Sequence, residues 1–343
     1  MQALQYHKFG GPDVLKLENL PDPEVTRDTV LVRMKATALN HLDIWVRNGI
    51  PGLPIIMPHV PGSDGAGVVE AVGRNVSGWK AGDEVVIQPG TFCGHCEACQ
   101  RGQEDLCPEY GILGETSPGV MQTLKNYDPV NLGRKPANLT WEESAALPLV
   151  YLTAWNMLIN RAELKAGETV LVQGASSGVG MAAIQIAKHV GATVIATART
   201  AVKRTAAGLL GAHYTLNSAE PKMYKEVKSL TRGKGVDVVV EHVGQATWQN
   251  SLRSLGFAGR LVTCGATTGP VAEVEIRHIF SKRLSILGST MGSVADFNAV
   301  LFLAEKGVLK PWIDRVFPLD KGQAAHTYLV SEHGFGKVVI SME

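Results

Sequence analysis

The segment TVLVQGASSGVGMAAIQIAKHVGATVIATAR, residues 169–199, constrains the fold more than any other part of the chain. An apolar strand, predicted over Thr169–Gln173, leads into a glycine-rich turn, a helix beginning near Val179 and a second apolar strand. Further apolar strands, VDVVVEHVG, GRLVTCGA and LSILGST, follow with helical segments between them. Such alternation specifies an α/β fold with a parallel sheet covered by helices on both faces.

The glycine turn indicates a phosphate site. Glycine lets the backbone turn sharply and approach a phosphate without a Cβ in the way, and the free N–H groups at a helix start attract a pyrophosphate. The spacing is not the strict Gly-x-Gly-x-x-Gly, since Ala175 and Ser177 stand where two glycines could be. A βα turn with a purely structural role is the alternative. The residues assigned to the dinucleotide here are Gly174, Ser176, Ser177, Gly178, Val179 and Gly180.

The end of the second strand indicates which dinucleotide binds. An NAD site carries Asp or Glu there to hold the ribose 2′-hydroxyl, but this chain has Ala198 followed by Arg199. Lys203 and Arg204 come soon after. Cations without a carboxylate suit a 2′-phosphate, so the sequence favours NADPH over NADH and assigns Arg199 and Lys203 to that phosphate. A solvated, cationic helix start is the alternative.

Composition limits the partners of the protein. The chain has 343 residues, 45% of them hydrophobic, and a formal net charge of +1. Its length suggests two domains, and its charge gives no long-range attraction to nucleic acid or to an anionic membrane. Because no signal-peptide-like start and no run of about 18 apolar residues is found, neither secretion nor a membrane span is expected. We expect a cytoplasmic protein that acts on a small molecule.

Four of the five cysteines lie in one loop, TFCGHCEACQRGQEDLC. The spacing Cys-x2-Cys-x2-Cys-x7-Cys is that of metal ligands, and without a secretory signal it indicates a reduced metal site rather than disulfides. Four thiolates complete a tetrahedral zinc and leave no position for water or substrate, so such a zinc is structural. Four unliganded thiols are the alternative. The predicted ligands of one structural zinc per chain are Cys93, Cys96, Cys99 and Cys107.

The whole chain resembles the medium-chain dehydrogenase/reductase superfamily. The resemblance rests on GSDGAGVVEAVG with GWKAGDEV, the four-cysteine loop, LTAW at residues 152–155, the glycine turn and the terminal GKVV. It implies a Rossmann-type doubly wound parallel-sheet domain, residues 149–289, that binds the dinucleotide. It also implies a chaperonin-10-like, β-rich catalytic domain, residues 1–148 and 290–343, with the zinc lobe at 91–110. A homodimer or homotetramer, paired through the edge strand LSILGST, is implied as well.

A catalytic zinc would lack its usual ligands. The zinc-dependent alcohol dehydrogenases of this superfamily use a Cys, the His of a Gly-His-Glu motif and a second Cys, and the matching positions here are Asn40, Ser63 and Leu149. An asparagine, a serine and a leucine do not form a zinc site. The alternative is an unusual site built from His41, Asp43, His59 and Asp64.

The string ALNHLDIWVRNG resembles the Asn-x-x-Asp stretch of the zinc-free quinone oxidoreductases of the same superfamily. The resemblance implies that Asn40 donates a hydrogen bond to a substrate carbonyl, that Asp43 helps to hold the pocket, and that Trp45 forms an aromatic wall. A quinone or conjugated enone suits such a site, because a hydrogen bond rather than a metal can stabilise the developing oxyanion. Capping of a short helix over His41–Arg47 is a second role for Asn40 and Asp43, compatible with the first.

The same resemblance implies further contacts with the dinucleotide. Thr153 matches a threonine on the nicotinamide side, and His41 matches a position that can face the pyrophosphate. Strand ends, where open α/β sheets hold their ligands, contribute Cys264, Gly265, Gly288 and Ser289. Cys264 also suits the role of a small buried apolar residue. Lys337, in FGKVV, is expected to face solvent or an interface.

Three functions stay open at this point. The preferred one is an NADPH-dependent oxidoreductase that transfers hydride to quinones or conjugated enones and enals without a catalytic metal. The alternatives are an NAD(P)-dependent alcohol or aldehyde dehydrogenase of the zinc type and a non-enzymatic, crystallin-like NADPH-binding protein. An acyl-thioester reductase is disfavoured, because the related reductases usually have a tyrosine where this chain has Ile50-Pro51.

Overall fold

The computed structural model describes residues 1–331 and 334–342. Its strands are β1 (Gln2–Gln5), β2 (Lys16–Asn19), β3 (Val30–Ala38), β4 (Asp64–Val72), β5 (Glu84–Ile87), β6 (Gly90–Thr91), β7 (Gly111–Ile112), β8 (Leu124–Tyr127), β9 (Leu132–Arg134), β10 (Thr169–Val172), β11 (Thr193–Ala198), β12 (Tyr214–Asn217), β13 (Val236–Glu241), β14 (Leu255–Thr263), β15 (Ser285–Gly288), β16 (Ile313–Pro318) and β17 (Lys337–Ser341).

The helices include a π-helical turn, Asn156–Arg161, directly after the fourth α-helix. The α-helices are α1 (His41–Asn48), α2 (Glu97–Gln100), α3 (Trp141–Ala145), α4 (Pro148–Trp155), α5 (Gly178–Val190), α6 (Ala201–Leu210), α7 (Met223–Leu230), α8 (Gln245–Ser254), α9 (Ile276–Lys282), α10 (Val294–Glu305) and α11 (Gly322–Val330). Within the described residues, none of these helices is both long enough and apolar enough to cross a membrane.

The described residues form two compact units. One comprises Met1–Leu152 with Gly292–Glu343 and is called here the discontinuous unit; the other, Thr153–Met291, is the central unit. The boundaries expected from the sequence, 148/149 and 289/290, lie within four residues of these.

The central unit is built on a six-stranded sheet in the order β12-β11-β10-β13-β14-β15. All its pairings are parallel, and Leu171 of β10 lies beside Ile195 on one side and Val239 on the other. Val170, Leu171 and Val172 are all fully buried, which requires cover on both faces of the sheet. Parallel strands buried on both faces have continuous apolar sequences, as these do.

The discontinuous unit contains a seven-stranded sheet in the order β16-β17-β3-β4-β5-β9, with β8 also pairing with β3. The antiparallel partners of Ala38, at the end of β3, are Val339 of β17 and Asp64 of β4. The registers therefore bring Asn40, the second residue after β3, close to Asp64, the first residue of β4, and to Lys337, the first residue of β17. The predicted α/β fold, a Rossmann-type parallel-sheet domain with a β-rich catalytic domain, is confirmed.

Candidate functional site

The four cysteines of the lobe converge on one point. Their sulfur atoms all lie within 4.8 Å of one another, with Sγ–Sγ distances of 3.5 Å for Cys96–Cys99, 3.6 Å for Cys93–Cys107 and 4.0 Å for Cys93–Cys99. A tetrahedral zinc with Zn–S bonds of about 2.3 Å separates its sulfurs by about 3.8 Å. The donor set and its spacing therefore fit a single zinc ion.

Backbone groups around the lobe suit thiolate ligands. The N–H of Cys96 donates to the sulfur of Cys93 at 3.3 Å, and the N–H of Glu109 donates to the sulfur of Cys107 at 3.3 Å. His95 is exposed, and its Nδ1 lies 2.9 Å from the Cys93 carbonyl oxygen. A second possible ligand group, Cys93 with His95 and Glu109, shares one cysteine with the first.

The glycine turn of the central unit lies between β10 and α5. Gly174 has a φ of +59°, a left-handed conformation that favours glycine. A Cβ on Gly180 would lie 2.3 Å from the carbonyl oxygen of Gly174, so only glycine lets α5 begin this close to the turn. Ser177 caps α5, its Oγ accepting the N–H of Gly180 at 2.9 Å. The remaining N–H groups of the first turn are available to an anion.

The other candidate dinucleotide contacts follow the same edge of the sheet. Because all six strands run parallel, the residues after their carboxyl ends share one edge, and these include Arg199 after β11, Cys264 and Gly265 after β14, and Ser289 after β15. The strand order reverses between β10 and β13, and open α/β sheets bind ligands at such a point. The Oγ of Ser289 is buried and without a hydrogen-bond partner among the described residues, as expected for a group that meets a ligand.

Three of the candidate dinucleotide contacts, Cys264, Gly288 and Thr153, have neighbours that the structure defines. Cys264 is half-buried, and desolvation of its thiol raises its pKa to about 12, which keeps it neutral. The carbonyl of Gly288 accepts a hydrogen bond from Nε of Arg161 at 2.9 Å. Thr153 is buried, with Oγ1 3.9 Å from the sulfur of Met291.

A residue that the sequence analysis did not select, His242, lies against the glycine turn. Its Nε2 is 3.2 Å from Oγ of Ser177, and its Cε1 would be 2.9 Å from a Cβ on Gly174. The preceding Glu241 is fully buried. Its carboxylate accepts hydrogen bonds from the backbone N–H groups of Val243 and Gly244 and from the hydroxyls of Thr247 and Ser251. These bonds fix the β13–α8 turn that carries His242.

The discontinuous unit holds a buried polar network around Asn40. The Asn40 Nδ2 donates to Oδ2 of Asp64 at 2.8 Å, and its Oδ1 accepts from Nζ of Lys337 at 2.5 Å. Nζ of Lys337 also lies 3.0 Å from Oδ2 of Asp64, whose Oδ1 accepts the backbone N–H of Leu149 at 2.7 Å. The side chains of Asn40, Asp64 and Lys337 are all buried. The buried Asp64 carboxylate thus has the buried Lys337 ammonium as its partner of opposite charge.

Asp43 belongs to the same region. One carboxylate oxygen accepts the N–H of Asn40 at 2.7 Å and the other accepts the N–H of Gly62 at 3.0 Å. Burial raises the pKa of Asp43 to about 6, against the opposing effects of these hydrogen bonds and of the Lys337 charge. Asp43 therefore caps α1 with a buried carboxyl whose pKa is raised.

The alternative metal site of the sequence analysis has little support from the geometry. In residues 1–331 and 334–342, groups of three or more side chains able to share an ion occur only in the cysteine lobe. His59 lies with Nε2 3.0 Å from the Gly114 carbonyl oxygen. Both oxygens of Asp64 are engaged by Asn40, Lys337 and Leu149.

Comparison with known proteins decides the family. Residues 178–306 match the zinc-binding dehydrogenase model and residues 26–136 match the alcohol dehydrogenase GroES-like domain. The quinone oxidoreductase of Sus scrofa is 32% identical over 99% of this chain and 97% of its own length. The zinc-type alcohol dehydrogenase-like protein of Schizosaccharomyces pombe is 34% identical over 99% of this chain and all of its own. The chain belongs to the medium-chain dehydrogenase/reductase superfamily.

As a member of that superfamily, the protein is an NAD(P)H-dependent oxidoreductase. A crystal structure of an NAD-dependent alcohol dehydrogenase is 46% identical, covers all of both chains and superposes with a TM-score of 0.97. Both quinone oxidoreductases and alcohol dehydrogenases are thus similar to this chain over its whole length.

Within this oxidoreductase, the site residues expected at the start of α1 lie in different surroundings. Asn40 and Asp43 lie together in the buried network. His41 is exposed and packs edge-on against Trp45, with ring centroids 5.2 Å apart. Trp45 is 36% exposed, so it can form a wall only at the surface of the unit.

One expectation is wrong. Lys337 was expected to face solvent or an interface, but only 3% of its side chain is exposed and its ammonium contacts Asn40 and Asp64. The reason is that β17 pairs antiparallel with β3, with Val339 opposite Ala38, so Lys337 comes opposite Asn40, two residues beyond the end of β3. The residues missed as functional candidates are therefore Lys337 and His242; a cation within an otherwise apolar terminal strand was the available signal for the first.

Proposed function

We propose that this protein is an NADPH-dependent reductase of quinones or conjugated enones and enals that works without a catalytic metal. NADPH supplies the hydride when bound. The residues of the chain bind and orient the reactants, and Asn40 donates a hydrogen bond to the carbonyl oxygen that gains negative charge. Such a donor, held in place before the reaction, stabilises the oxyanion as it forms.

The observation that carries this proposal is the arrangement of the Asn40 amide. An amide nitrogen has two hydrogens; Nδ2 directs one of them to Asp64, and the lysine holds the amide oxygen on the other side. The second N–H is the donor proposed for substrate. The positions that hold zinc ligands in the alcohol dehydrogenases are Asn40, Ser63 and Leu149 here, and the Leu149 N–H donates to Asp64.

The preference for NADPH is supported by the end of β11. No carboxylate follows Ala198, and the exposed Arg199 is the first residue after the strand. Lys203 lies in the first turn of α6, where its N–H donates to the capping hydroxyl of Thr200 at 3.3 Å. Two cations at this edge suit the 2′-phosphate, which an arginine recognises by a paired hydrogen bond.

The test is an oxidation screen of NADPH and NADH against quinones, enals, ketones and aldehydes. Turnover of a quinone or enal, faster with NADPH than with NADH, is expected. Asn40→Ser should lower kcat at least about tenfold, since it removes the proposed donor. Asn126→Ser, which removes an amide from β8, should leave kcat unchanged. Turnover of simple ketones and aldehydes alone would contradict the proposal.

A second candidate is an NAD(P)-dependent alcohol dehydrogenase. It is favoured by the crystal structure of the NAD-dependent alcohol dehydrogenase that is 46% identical to this chain. Metal content separates the two: the reductase is expected to contain one zinc per chain, whereas an alcohol dehydrogenase with a catalytic zinc would contain two. Oxidation of alcohols with NAD⁺, lost on removal of the second zinc, would favour this candidate.

For the lobe we propose a structural zinc bound by Cys93, Cys96, Cys99 and Cys107. Four thiolate ligands leave no site for a reactant, so the ion stabilises the loop. We also propose a dimer formed through β15, one of the two edge strands of the central sheet, which carries the 39% exposed Ile286. Light scattering of the purified protein tests the second point, since a monomer at micromolar concentration would contradict it.

A further inference from the structure

Lys337 is an unusual residue to find inside a protein. It is 2% exposed, although lysine is almost never fully buried unless it is paired. Its partner charge is Asp64, at 3.0 Å, but a buried ion pair is weak support for a purely stabilising role, because its desolvation costs about as much as the attraction returns. The position of the ammonium, 2.5 Å from the Asn40 oxygen, suggests another role.

The lysine fixes the orientation of the Asn40 amide. An ammonium only donates hydrogen bonds and a carboxylate only accepts them. The amide must therefore turn its oxygen toward Lys337 and its nitrogen toward Asp64. A flipped amide would place its N–H groups against the ammonium and its oxygen against the carboxylate, so the direction of the remaining N–H is set.

The Lys337 ammonium also acts electrostatically on the Asn40 amide and on the carboxyl of Asp43. It lies one hydrogen bond behind the amide, where a positive charge withdraws electron density from the oxygen and makes the N–H a stronger donor. It also lowers the pKa of Asp43, which burial and the Asp64 carboxylate raise. Tyr6 and Arg47 are the other titratable groups that interact with Asp43. Removal of the lysine charge should therefore raise the pKa of Asp43 further.

We propose that Lys337 is a positioning residue for carbonyl reduction, holding and polarising the Asn40 amide as the donor to the substrate oxygen. The inference rests on the proposed function. Lys337 itself need not touch the substrate, since it acts through Asn40.

Two variants test the assignment with quinone and enal acceptors. Lys337→Met keeps an unbranched side chain, one heavy atom shorter, and removes both charge and donor. Lys337→Gln removes the charge and keeps a donor for the Asn40 oxygen. Lys80→Met removes an exposed lysine of the same unit and serves as the control. For each protein, kcat, KM, the pH profile of kcat/KM, the dissociation constant of NADPH and the melting temperature are measured.

For Lys337→Met we expect kcat to fall at least about tenfold, with the dissociation constant of NADPH within about twofold of the wild type. We expect the titration of Asp43, which accepts the Asn40 N–H, to give the kcat/KM profile an inflection near pH 6, and this inflection should move to higher pH in the variant. Lys337→Gln should show the same move of the inflection and a smaller loss of kcat. If Lys337→Met does not fold, Lys337→Gln alone tests the inference, because both the loss of kcat and the shift of the inflection can be measured on it.

A purely structural lysine would give a different pattern. Both variants would then melt at a lower temperature, with kcat as in the wild type, and the inference would be overturned while the proposed function stands. If the wild type reduces no quinone, enal or enone, the proposed function fails and this inference fails with it.

Discussion

The contact between Gly180 and Gly174 gives a prediction whose size follows from the structure. In Gly180→Ala the new Cβ would lie 2.3 Å from the Gly174 carbonyl oxygen, whereas ordinary contacts begin at 3.4 Å. The start of α5 or the turn must therefore shift by about 1 Å. Overpacking of this kind typically costs about 1–3 kcal/mol, and it displaces the N–H groups that we propose for the pyrophosphate.

Gly208→Ala, in α6 of the same unit, is the matched control. A Cβ on Gly208 would have no heavy atom within 4 Å. Replacing a helical glycine by alanine stabilises the helix by about 1 kcal/mol, and both variants share this gain. The difference between the two variants then isolates the steric cost at Gly180, about 1–3 kcal/mol.

The assay is a fluorescence titration of each variant with NADPH, together with its melting temperature. Loss of one charge-assisted hydrogen bond, about 1.5–3 kcal/mol, should weaken NADPH binding by Gly180→Ala about 10- to 100-fold. Gly208→Ala should bind as the wild type does and melt slightly higher. Equal NADPH affinity of the two variants would refute the assignment of this turn to the pyrophosphate.

Three further predictions concern the cofactor, the lobe and Asp43. Arg199→Ala should raise the KM for NADPH more than that for NADH, whereas Lys225→Ala, an exposed cation in α7, should change neither; equal loss with both cofactors would contradict the 2′-phosphate contact. Cys99→Ser should release zinc and lower the melting temperature without specifically abolishing turnover, as metal analysis and kinetics would show; a fully stable but inactive variant would contradict the structural role. The pKa of Asp43 in the folded protein, about 6, lies above its ordinary value of 3.8, so the stability that this carboxyl contributes is present at low pH and is lost, by an amount on the order of a few kcal/mol, as the pH rises through that window. The melting temperature should therefore fall between pH 4 and pH 6 by more in the wild type than in Asp43→Asn. Equal falls in the two proteins would show that the pKa of the Asp43 carboxyl is not raised.

The fold could be predicted because its signals are local. The first two apolar strands of the central unit and the turn at Gly174 occur within a short stretch of sequence. Few chain topologies are compatible with such an order of strand, turn and helix. The cysteine lobe is also local, since four ligands within one loop fix their own proximity.

The buried network could not be predicted in the same way. Asp64 and Lys337 are separated by 273 residues, and only the register of β17 on β3 brings them together. The terminal strand KVVIS contains a single cation followed by apolar residues, a pattern that also suits an edge strand with an exposed lysine. His242 was missed for a related reason: its contact with Ser177 depends on β10 and β13 being neighbours, which chain order does not reveal.

The place of β17 between β16 and β3 has a consequence for biosynthesis. When β3 and β4 leave the ribosome, the strand that completes their sheet has not yet been translated. The Asp64 carboxylate then lacks the Lys337 ammonium, and it must stay hydrated until β17 has been made. A chain truncated before residue 337 would lack β17, and the Asp64 carboxylate would lose its buried partner charge.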